Sequence, residues 1–430
     1  MSDLALNGGT PAFSQRTGQP QPKIGTTEFL ALARRFGYSD DALTRLAAAV
    51  SDDDLPPGGP TLSRWITAYP GPPEGELYEA DARAKYGVKH AQAVSSGTGA
   101  LHCACRAVGL GPGDEAIVPA MGFLATSMAV SLVGATPVFC DVDESLQLDP
   151  SKLAGCLTPA TKAIFPTHHW GFVCDLEPVL DFAKQHGLAV IEDCAQSPGA
   201  TYRGRFVGTW GDLGCFSISA YKITGAGEGG LVLTNDDKLA ERALQTAEGG
   251  GLWRPDRFAP ERYPGELFAG TNYRLSELES TLDRVQLAKL DDVVGRYRAV
   301  FRRIREQLGN YAEITWQKSN DVEGDIGYML RFFPASHELA QQIVPALAAE
   351  GIGAGYRGPS AAPDWHLYSD MYPLFGQHAD QCRPDRCPTA VDLYNRVVTI
   401  GLDQWYSPED ADAIALGINR VLSAYCTRLD

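Results

Sequence analysis

The sequence predicts an α/β protein with a mostly parallel central sheet in a large domain, followed by a smaller C-terminal α+β domain. Between His90 and Asp236, short runs rich in Val, Ile and Phe alternate with helical segments, the order of βαβ units. Those runs are apolar throughout instead of alternating with polar residues, as strands covered on both faces are. From about Asn310 the order becomes a mixture of strands and helices without that regularity.

Taken along the chain, residues up to about Thr26 are rich in Gly, Pro and Gln and read as an extended arm. Helical stretches follow around Glu28–Arg35 and Asp41–Val50, and "DDDLPPGGP" then breaks the pattern, because Pro56, Pro57 and Pro60 stop any helix. Helix resumes over Glu74–Tyr86. "HAQAVSS" is a strand and "GTGALHCACRAVGL" the helix after it. "DEAIVPA", "TPVFCDVD", "KAIFPTHH" and "LAVIEDCA" are strands separated by helices such as "FLATSMAVSLVG" and "DLEPVLDFAKQHG". "LGCFSIS" and "GGLVLTND" read as two strands joined by "AYKITGAGE", and "KLAERALQTAEG" as a helix. A long helix, "RLSELESTLDRVQLAKLDDVVGRYRAVFRRIREQL", follows and is expected to bend on the way. The last stretch holds strands "IGYMLRFFP" and "RVVTIGL" and helices "ELAQQIVPALAAEG" and "PEDADAIALGINRVLSAY". The expected domains are an arm at 1–26, a large domain at 27–300 and a small domain at 301–430.

Bulk properties narrow the function classes. The chain has 430 residues, 44% hydrophobic and 21% charged, enough for a large packed core and unlike a disordered chain. Its 37 Lys+Arg against 53 Asp+Glu give a net charge of -16 with no basic block, which argues against nucleic-acid and membrane partners. No apolar run approaches a membrane span, and "MSDLALNGGTPAF" lacks the basic and apolar regions of a signal peptide, so the expected location is cytoplasmic. The ten cysteines are scattered, and "CRPDRC" has no second pair or histidine cluster to complete a zinc set. Reduced structural thiols are expected, and no metal.

Ligand sites of parallel sheets lie beyond the carboxyl ends of the strands, and three features fall there. "SSGTG" places Ser96 and Thr98 hydroxyls and backbone N–H groups at a helix start, where they suit a phosphate or an ordinary helix cap. In "VIEDCAQ", Asp193 ends an apolar strand. It can cap the next turn or pair with a protonated heterocyclic nitrogen, and Gln196 offers both a donor and an acceptor. Ser217 and Lys222 follow "LGCFSIS", ahead of the glycines of "GAGEGG". A half-buried lysine amine there can snorkel to water or form a Schiff base with a carbonyl. An anion cradle, a ring-nitrogen carboxylate and a Schiff-base lysine together are what pyridoxal phosphate requires.

"SSGTGAL", "VIEDCAQSPGATYRGRFVGTWGDLGCFS", "YKITGAGEGG" and "GTNYRLSEL…VQLAKLD" resemble the DegT/DnrJ/EryC1/StrS aminotransferases. These are fold-type I pyridoxal-phosphate enzymes, many of which aminate keto-sugars or keto-cyclitols in secondary metabolism, including antibiotic biosynthesis. The resemblance implies pyridoxal 5'-phosphate as cofactor, Lys222 as its Schiff-base lysine, Asp193 on the pyridine nitrogen and Gln196 near the phenolic oxygen. It further implies Gly97, Thr98 and Ser217 on the phosphate, Phe123 stacked on the ring and His168 close to the cofactor. Asn272 would reach the phosphate of a neighbouring subunit in a homodimer. Lys222 is expected to move the proton between substrate and cofactor carbons, with the glycines giving it room to swing. Trp170, Trp253, Trp365, His169, Arg254 and His366 are candidates for a distinctive substrate pocket, or for packing and surface roles. Ser219, Ala220 and Tyr221 depart from the usual nucleotide-sugar pattern, while the "GEGG" ending and the opening "LALNGGTPAF" look more like the cyclitol and aminobenzoate-forming branches. The expected activity is transfer of an amino group from glutamate or glutamine to a keto-sugar or keto-cyclitol. A pyridoxal-phosphate lyase, a carbon–carbon bond-forming enzyme and a non-catalytic regulator on the same scaffold are the alternatives.

Overall fold

The structure, a computed structural model, describes residues 4–13, 15, 18, 22–56, 58–60, 62–63, 72–250, 261–359 and 361–429. The chain divides into two compact units, Met1–Pro73 and Glu74–Asp430. In the first, helices Thr26–Arg35 and Asp40–Ala49 are entered through local caps: Thr26 N–H donates to Asp52 Oδ1 at 2.7 Å, and Ala42 N–H to Ser39 Oγ at 3.3 Å. Such caps satisfy donors that a helix start leaves unmatched.

The second unit is built on a seven-stranded sheet. Its strands are β1 (His90–Val94), β2 (Glu115–Pro119), β3 (Thr136–Cys140), β4 (Thr161–Ile164), β5 (Ala189–Asp193), β6 (Leu213–Ser217) and β7 (Gly230–Thr234). They lie in the order β1-β7-β6-β5-β4-β2-β3. Every neighbouring pair is parallel except those made by β7, which runs antiparallel to both β1 and β6. The reversal follows from chain length: the twelve residues between Ser217 and Gly230 turn straight back instead of forming a crossover helix.

Alternation along each strand feeds two cores. Ala116, Val118, Ile191, Leu213, Cys215 and Val232 pack on one face with helices Gly97–Ala107 and Ala125–Leu132. Ile117, Val190, Phe216, Leu231 and Leu233 pack on the other with helix Leu176–His186 and with Leu290 and Val294 of helix Glu277–Arg305. Both faces being covered explains the unbroken apolar runs.

A second, four-stranded antiparallel sheet holds β8 (Ile314–Trp316), β9 (Met329–Pro334), β10 (Ala354–Tyr356) and β11 (Val398–Gly401), in the order β8-β9-β11-β10. Helices His337–Ala349 and Pro408–Tyr425 pack on it, as do Val300 and Ile304 from the end of helix Glu277–Arg305. The expected bend in that helix is not a break: it is assigned as one helix of 29 residues that contributes to both cores. Part of the C-terminal stretch also joins the main core, since Tyr368, Met371, Cys387, Leu393 and Tyr394 pack with Ala116 and Val118. Among the described residues no helix is long and apolar enough to cross a membrane.

Helix Glu277–Arg305 also buries Asp283, which is 1% exposed, with neither carboxyl oxygen hydrogen-bonded to a described residue. Burial, with Glu279 beside it adding, pushes its carboxyl up to about 8. The folded chain then holds a proton that the unfolded chain releases, so between about pH 4 and pH 8 its contribution to stability falls as pH rises. Asp283→Asn is expected to flatten the pH dependence of melting and to stabilise the protein by about 1–2 kcal/mol at pH 8.5. Calorimetric melting across that range checks this, and an Asn variant less stable than the parent at pH 8.5 would contradict it.

Candidate active site

The carboxyl ends of the parallel strands bring several of the sequence-predicted residues together. After β1, Ser96 caps helix Gly97–Ala107, its Oγ accepting Gly99 N–H at 3.0 Å. The N–H groups of Gly97 and Thr98 belong to the first helical turn, which has no intrahelical carbonyls to donate to. Ser217, the last residue of β6, lies against this turn: a Cβ added at Gly97 would sit 2.6 Å from Ser217 Cβ. Glycine is required at 97 because two strand ends converge there, and the result is a small cradle of N–H groups and hydroxyls at the positive end of a helix.

Asp193 ends β5 and is buried. Its Oδ2 accepts Thr126 Oγ1–H at 2.5 Å, and its Oδ1 accepts Ala195 N–H at 3.0 Å. Sequence reasoning did not single out Thr126; the signal for it was a hydroxyl one turn after Phe123 in "GFLAT". Thr126 also ties Phe123 to the site, its N–H donating to the Phe123 carbonyl at 3.3 Å. Phe123 itself is 45% exposed, with its ring 5.4 Å from that of His366.

Lys222 stands half-buried on the β6–β7 connection. The connection is closely tied: Ala220 N–H donates to Gly227 O, Lys222 N–H to Ser219 O, and Gly225 N–H to Lys222 O, all within 2.9 Å. Burial lowers the amine's pKa, with Asp193 pulling the other way. The following glycines have a different purpose from the room to swing expected of them. A Cβ on Gly225 would lie 2.0 Å from Ser219 O, one on Gly227 2.6 Å from Glu279 Oε1, and one on Gly229 2.8 Å from Asp283 Oδ2. They let the connection pack onto itself and onto helix Glu277–Arg305, whose Gln286 Nε2 donates to Gly225 O at 2.8 Å.

Lys222, Gln196 and Trp170 line one cavity of about 420 Å³ with Tyr297, Tyr328 and Met329. Gln196 Oε1 accepts Trp170 N–H at 3.0 Å, which leaves the amide NH2 to act as donor. Trp170 has left-handed backbone (φ 57, ψ 32), a conformation that costs a β-carbon residue about 1–2 kcal/mol. Its indole stacks on His169 at 3.7 Å and lies 6.0 Å from His366. Trp170, His169 and His366 therefore come together, while Trp365 is 39% exposed. Trp253 and Arg254 lie outside the described residues.

His168 is set apart from this group. Its Nε2 lies 3.2 Å from Glu192 Oε2 and its Nδ1 accepts Cys174 N–H at 3.1 Å, so both ring nitrogens are engaged in the fully buried interior. Its backbone N–H donates to the Asp193 carbonyl at 2.9 Å. The side chain expected close to the cofactor thus holds the end of β5 from behind, and the imidazole in the aromatic group at the cavity is that of His169. Asn272 is exposed and its Oδ1 accepts its own Arg274 N–H at 3.4 Å. Its neighbour Tyr273 accepts Ser95 N–H at 2.7 Å beside the cradle.

A model of the DegT/DnrJ/EryC1/StrS aminotransferase family matches residues 61–419. The chain is 42% identical to GDP-perosamine synthase of Caulobacter vibrioides over 228 residues, 52% of this chain and 60% of that protein. The stretch matched there spans less than two thirds of that relative. The match to UDP-N-acetyl-3-dehydro-alpha-D-glucosamine 3-aminotransferase of Acidithiobacillus ferrooxidans is 36% identical over 357 residues, 81% of this chain and 89% of that one. Among solved structures, S. venezuelae DesV in complex with a ketimine intermediate aligns with TM-score 0.68 at 30% identity, covering 81% of this chain and 89% of that one. The chain belongs to the DegT/DnrJ/EryC1/StrS aminotransferase family.

Proposed function

We propose that the protein is a pyridoxal-phosphate-dependent aminotransferase that moves an amino group from glutamate or glutamine to a keto-sugar or keto-cyclitol. The observation that carries this is the convergence of Lys222, Asp193 and the Gly97–Ser217 cradle at the carboxyl end of one sheet. Of the two acceptor classes, keto-sugars have the stronger support, because two of the relatives are named for nucleotide-sugar products or substrates. The "GEGG" ending and the opening "LALNGGTPAF" look more like the cyclitol side.

The residues present fit the cofactor. Gly97 and Thr98 N–H groups and the Thr98 and Ser217 hydroxyls would hold its phosphate, and Phe123 would cover its ring. Bound there, the cofactor supplies an electron sink next to the substrate carbon. Asp193, oriented by Thr126 and Ala195, would keep the ring nitrogen protonated. The Gln196 NH2 would donate to the ring oxygen. Lys222, its amine partly neutralised by burial, would carry the cofactor and then take and return the substrate proton at Nζ. His168 is a positioning residue, acting through Glu192 and the Asp193 backbone. The assembly is a cytoplasmic homodimer in which Asn272 completes the partner's phosphate site.

The purified protein should be yellow, and L-glutamate or L-glutamine should bleach that band as the cofactor takes up the amino group. A band that persists with both donors, or shifts only with another amino acid, would favour a lyase. Gly97→Ala should fold but bind the cofactor at least tenfold more weakly, read by absorbance titration, because its methyl group would displace Ser217. For the shared site, Lys222→Ala and Asn272→Ala should each be nearly inactive alone. Refolded as a mixture they should regain about a quarter of parental turnover, since each hybrid dimer holds one intact site. No recovery, with dimers formed, would place Asn272 in its own subunit's site or in neither.

A further inference from the structure

All ten cysteines are free thiols, and eight of them are sealed in the interior. The two half-buried ones, Cys156 and Cys426, have different surroundings. Burial, with Glu313 adding, pushes the Cys426 thiol up to about 11. Cys156 closes the single-turn helix Leu153–Cys156 and faces the end of β3. Its Sγ–H donates to the Phe139 carbonyl at 3.7 Å, and the same carbonyl accepts Cys387 Sγ–H at 3.5 Å. Cys140, the last residue of β3 and 0% exposed, has its Sγ 3.7 Å from the Asp149 carbonyl. The Cys140 and Cys156 thiols are also in hydrogen-bond contact with each other. Three thiols thus meet at one strand end, and of these Cys156 is the one that reaches solvent.

The reactive form of a cysteine is its thiolate. The hydrogen bond from Cys140 lowers the Cys156 pKa, with the Arg386 guanidinium adding and burial and Asp141 opposing. The same contact, together with burial, raises the Cys140 thiol well above its usual range. The pair is therefore asymmetric: one sulfur ionises while its neighbour keeps a proton. Cys387 is pushed up by burial as well. Bringing two sulfurs from hydrogen-bond contact to a bond of about 2.05 Å needs a small shift of one backbone. Cys156 has the room for it. Ala154 and Gly155 before it are exposed, and nothing outside their own helix lies within 4 Å of where a Cβ on Gly155 would stand.

We propose that Cys140 and Cys156 form a site of reversible oxidation by hydroperoxides, with Cys156 as the nucleophile and Cys140 as the thiol that resolves it. The pair stands apart from the aminotransferase reading and uses none of its residues. The Cys156 thiolate attacks a peroxide oxygen, the O–O bond breaks, and hydroxide leaves a sulfenic acid on Cys156. Cys140 Sγ then attacks Cys156 Sγ: the S–S bond forms, the S–O bond breaks, and water departs with the Cys140 proton. In sum two thiols lose two electrons, and one hydrogen peroxide becomes two waters. A dithiol reverses the bond by exchange.

The test treats the cofactor-loaded protein with about one equivalent of hydrogen peroxide, blocks the remaining thiols with iodoacetamide and maps tryptic peptides by mass spectrometry. Trypsin cuts after Lys152 and Arg386, so Cys140, Cys156 and Cys387 fall in three different peptides and any cross-link among them is visible. A Cys140–Cys156 link that dithiothreitol removes is expected. Without peroxide, Cys156 should alkylate about tenfold faster than Cys426 near neutral pH. In Cys140→Ala the link should vanish, and the Cys156 sulfenic acid should persist long enough for dimedone to trap it. Cys156→Ser, a conservative change at a half-exposed position, should leave Cys140 reduced, and it serves if the Cys140 variant does not fold. A link from Cys156 to Cys387, equal oxidation of Cys156 and Cys426, or a Cys140–Cys156 pair that stays reduced overturns the proposal.

Discussion

The site depends on the last two residues of β5, where consecutive carboxylates go to opposite faces of the sheet. Glu192 turns to the face of helix Leu176–His186. Fully buried there, it accepts N–H groups from Gly208, Trp210 and Gly211 at 2.7 Å each and contacts His168 Nε2 at 3.2 Å. A carboxylate taken out of water persists when its lone pairs are met in this way. The bonds fold the 208–211 loop onto β5 just before β6 begins, and Asp193 then pairs in register with Cys215, two residues before Ser217. Asp193, facing the opposite way, is thereby fixed relative to the strand that leads to Lys222. Glu192 has no part in the proposed chemistry, yet its four contacts set the geometry of the residues proposed to carry it.

The same alternation decides how much could be read in advance. Each strand of the main sheet was legible because an apolar run of four or five residues between helical segments has few other solutions. The Asp193, Lys222 and Gly97 positions were legible because strand ends in such a sheet are where ligands sit. Only the resemblance told His168 and His169 apart: neighbours in a loop after a strand have no periodicity to say which ring faces inward. Thr126 and Arg331 were missed for different reasons. Thr126 looked like an ordinary helix residue, and its bond to Asp193 joins positions 67 residues apart. Arg331 did carry a signal, one arginine inside the apolar run "MLRFFP". A lone charge on a strand of a small antiparallel sheet reads first as a solvent-facing residue, and only the packing shows it to be interior.

The glycines of "GAGEGG" show how one composition serves opposite physical ends. Glycine supports motion where the backbone is unconstrained, and close packing where neighbouring atoms fill the space a Cβ would take. Here Ser219, Glu279 and Asp283 fill that space, and none of the glycines from Gly225 to Gly230 has a positive φ. The connection holding Lys222 is therefore fixed at its base, with backbone bonds on both sides of the lysine. Any movement of the amine comes from its four-carbon stem. In the role proposed for it, Lys222 would be well served by a still backbone and a free side chain.

Charge is distributed against the composition. The chain carries a net charge of -16, yet Lys222, Arg331, His169 and His366 gather around Trp170 at the cavity. Repulsion within that group is reduced in separate ways. His169 is uncharged because it is buried, and His366 leans on Asp364, whose carboxyl the imidazole contact holds well below the usual carboxylate range. Lys222 has Asp193 as its nearby anion. Arg331 has no carboxylate partner among the described residues, and it is the one cation of the set that does not deprotonate readily even when buried. An acidic exterior does not work against anion binding inside, because field lines in a low-dielectric cleft are governed by its own lining. The left-handed turn at Trp170, held by Gln196, positions the ring on which Arg331 rests. Strain at that one residue thus links the amide expected beside the cofactor to the buried guanidinium of the second sheet.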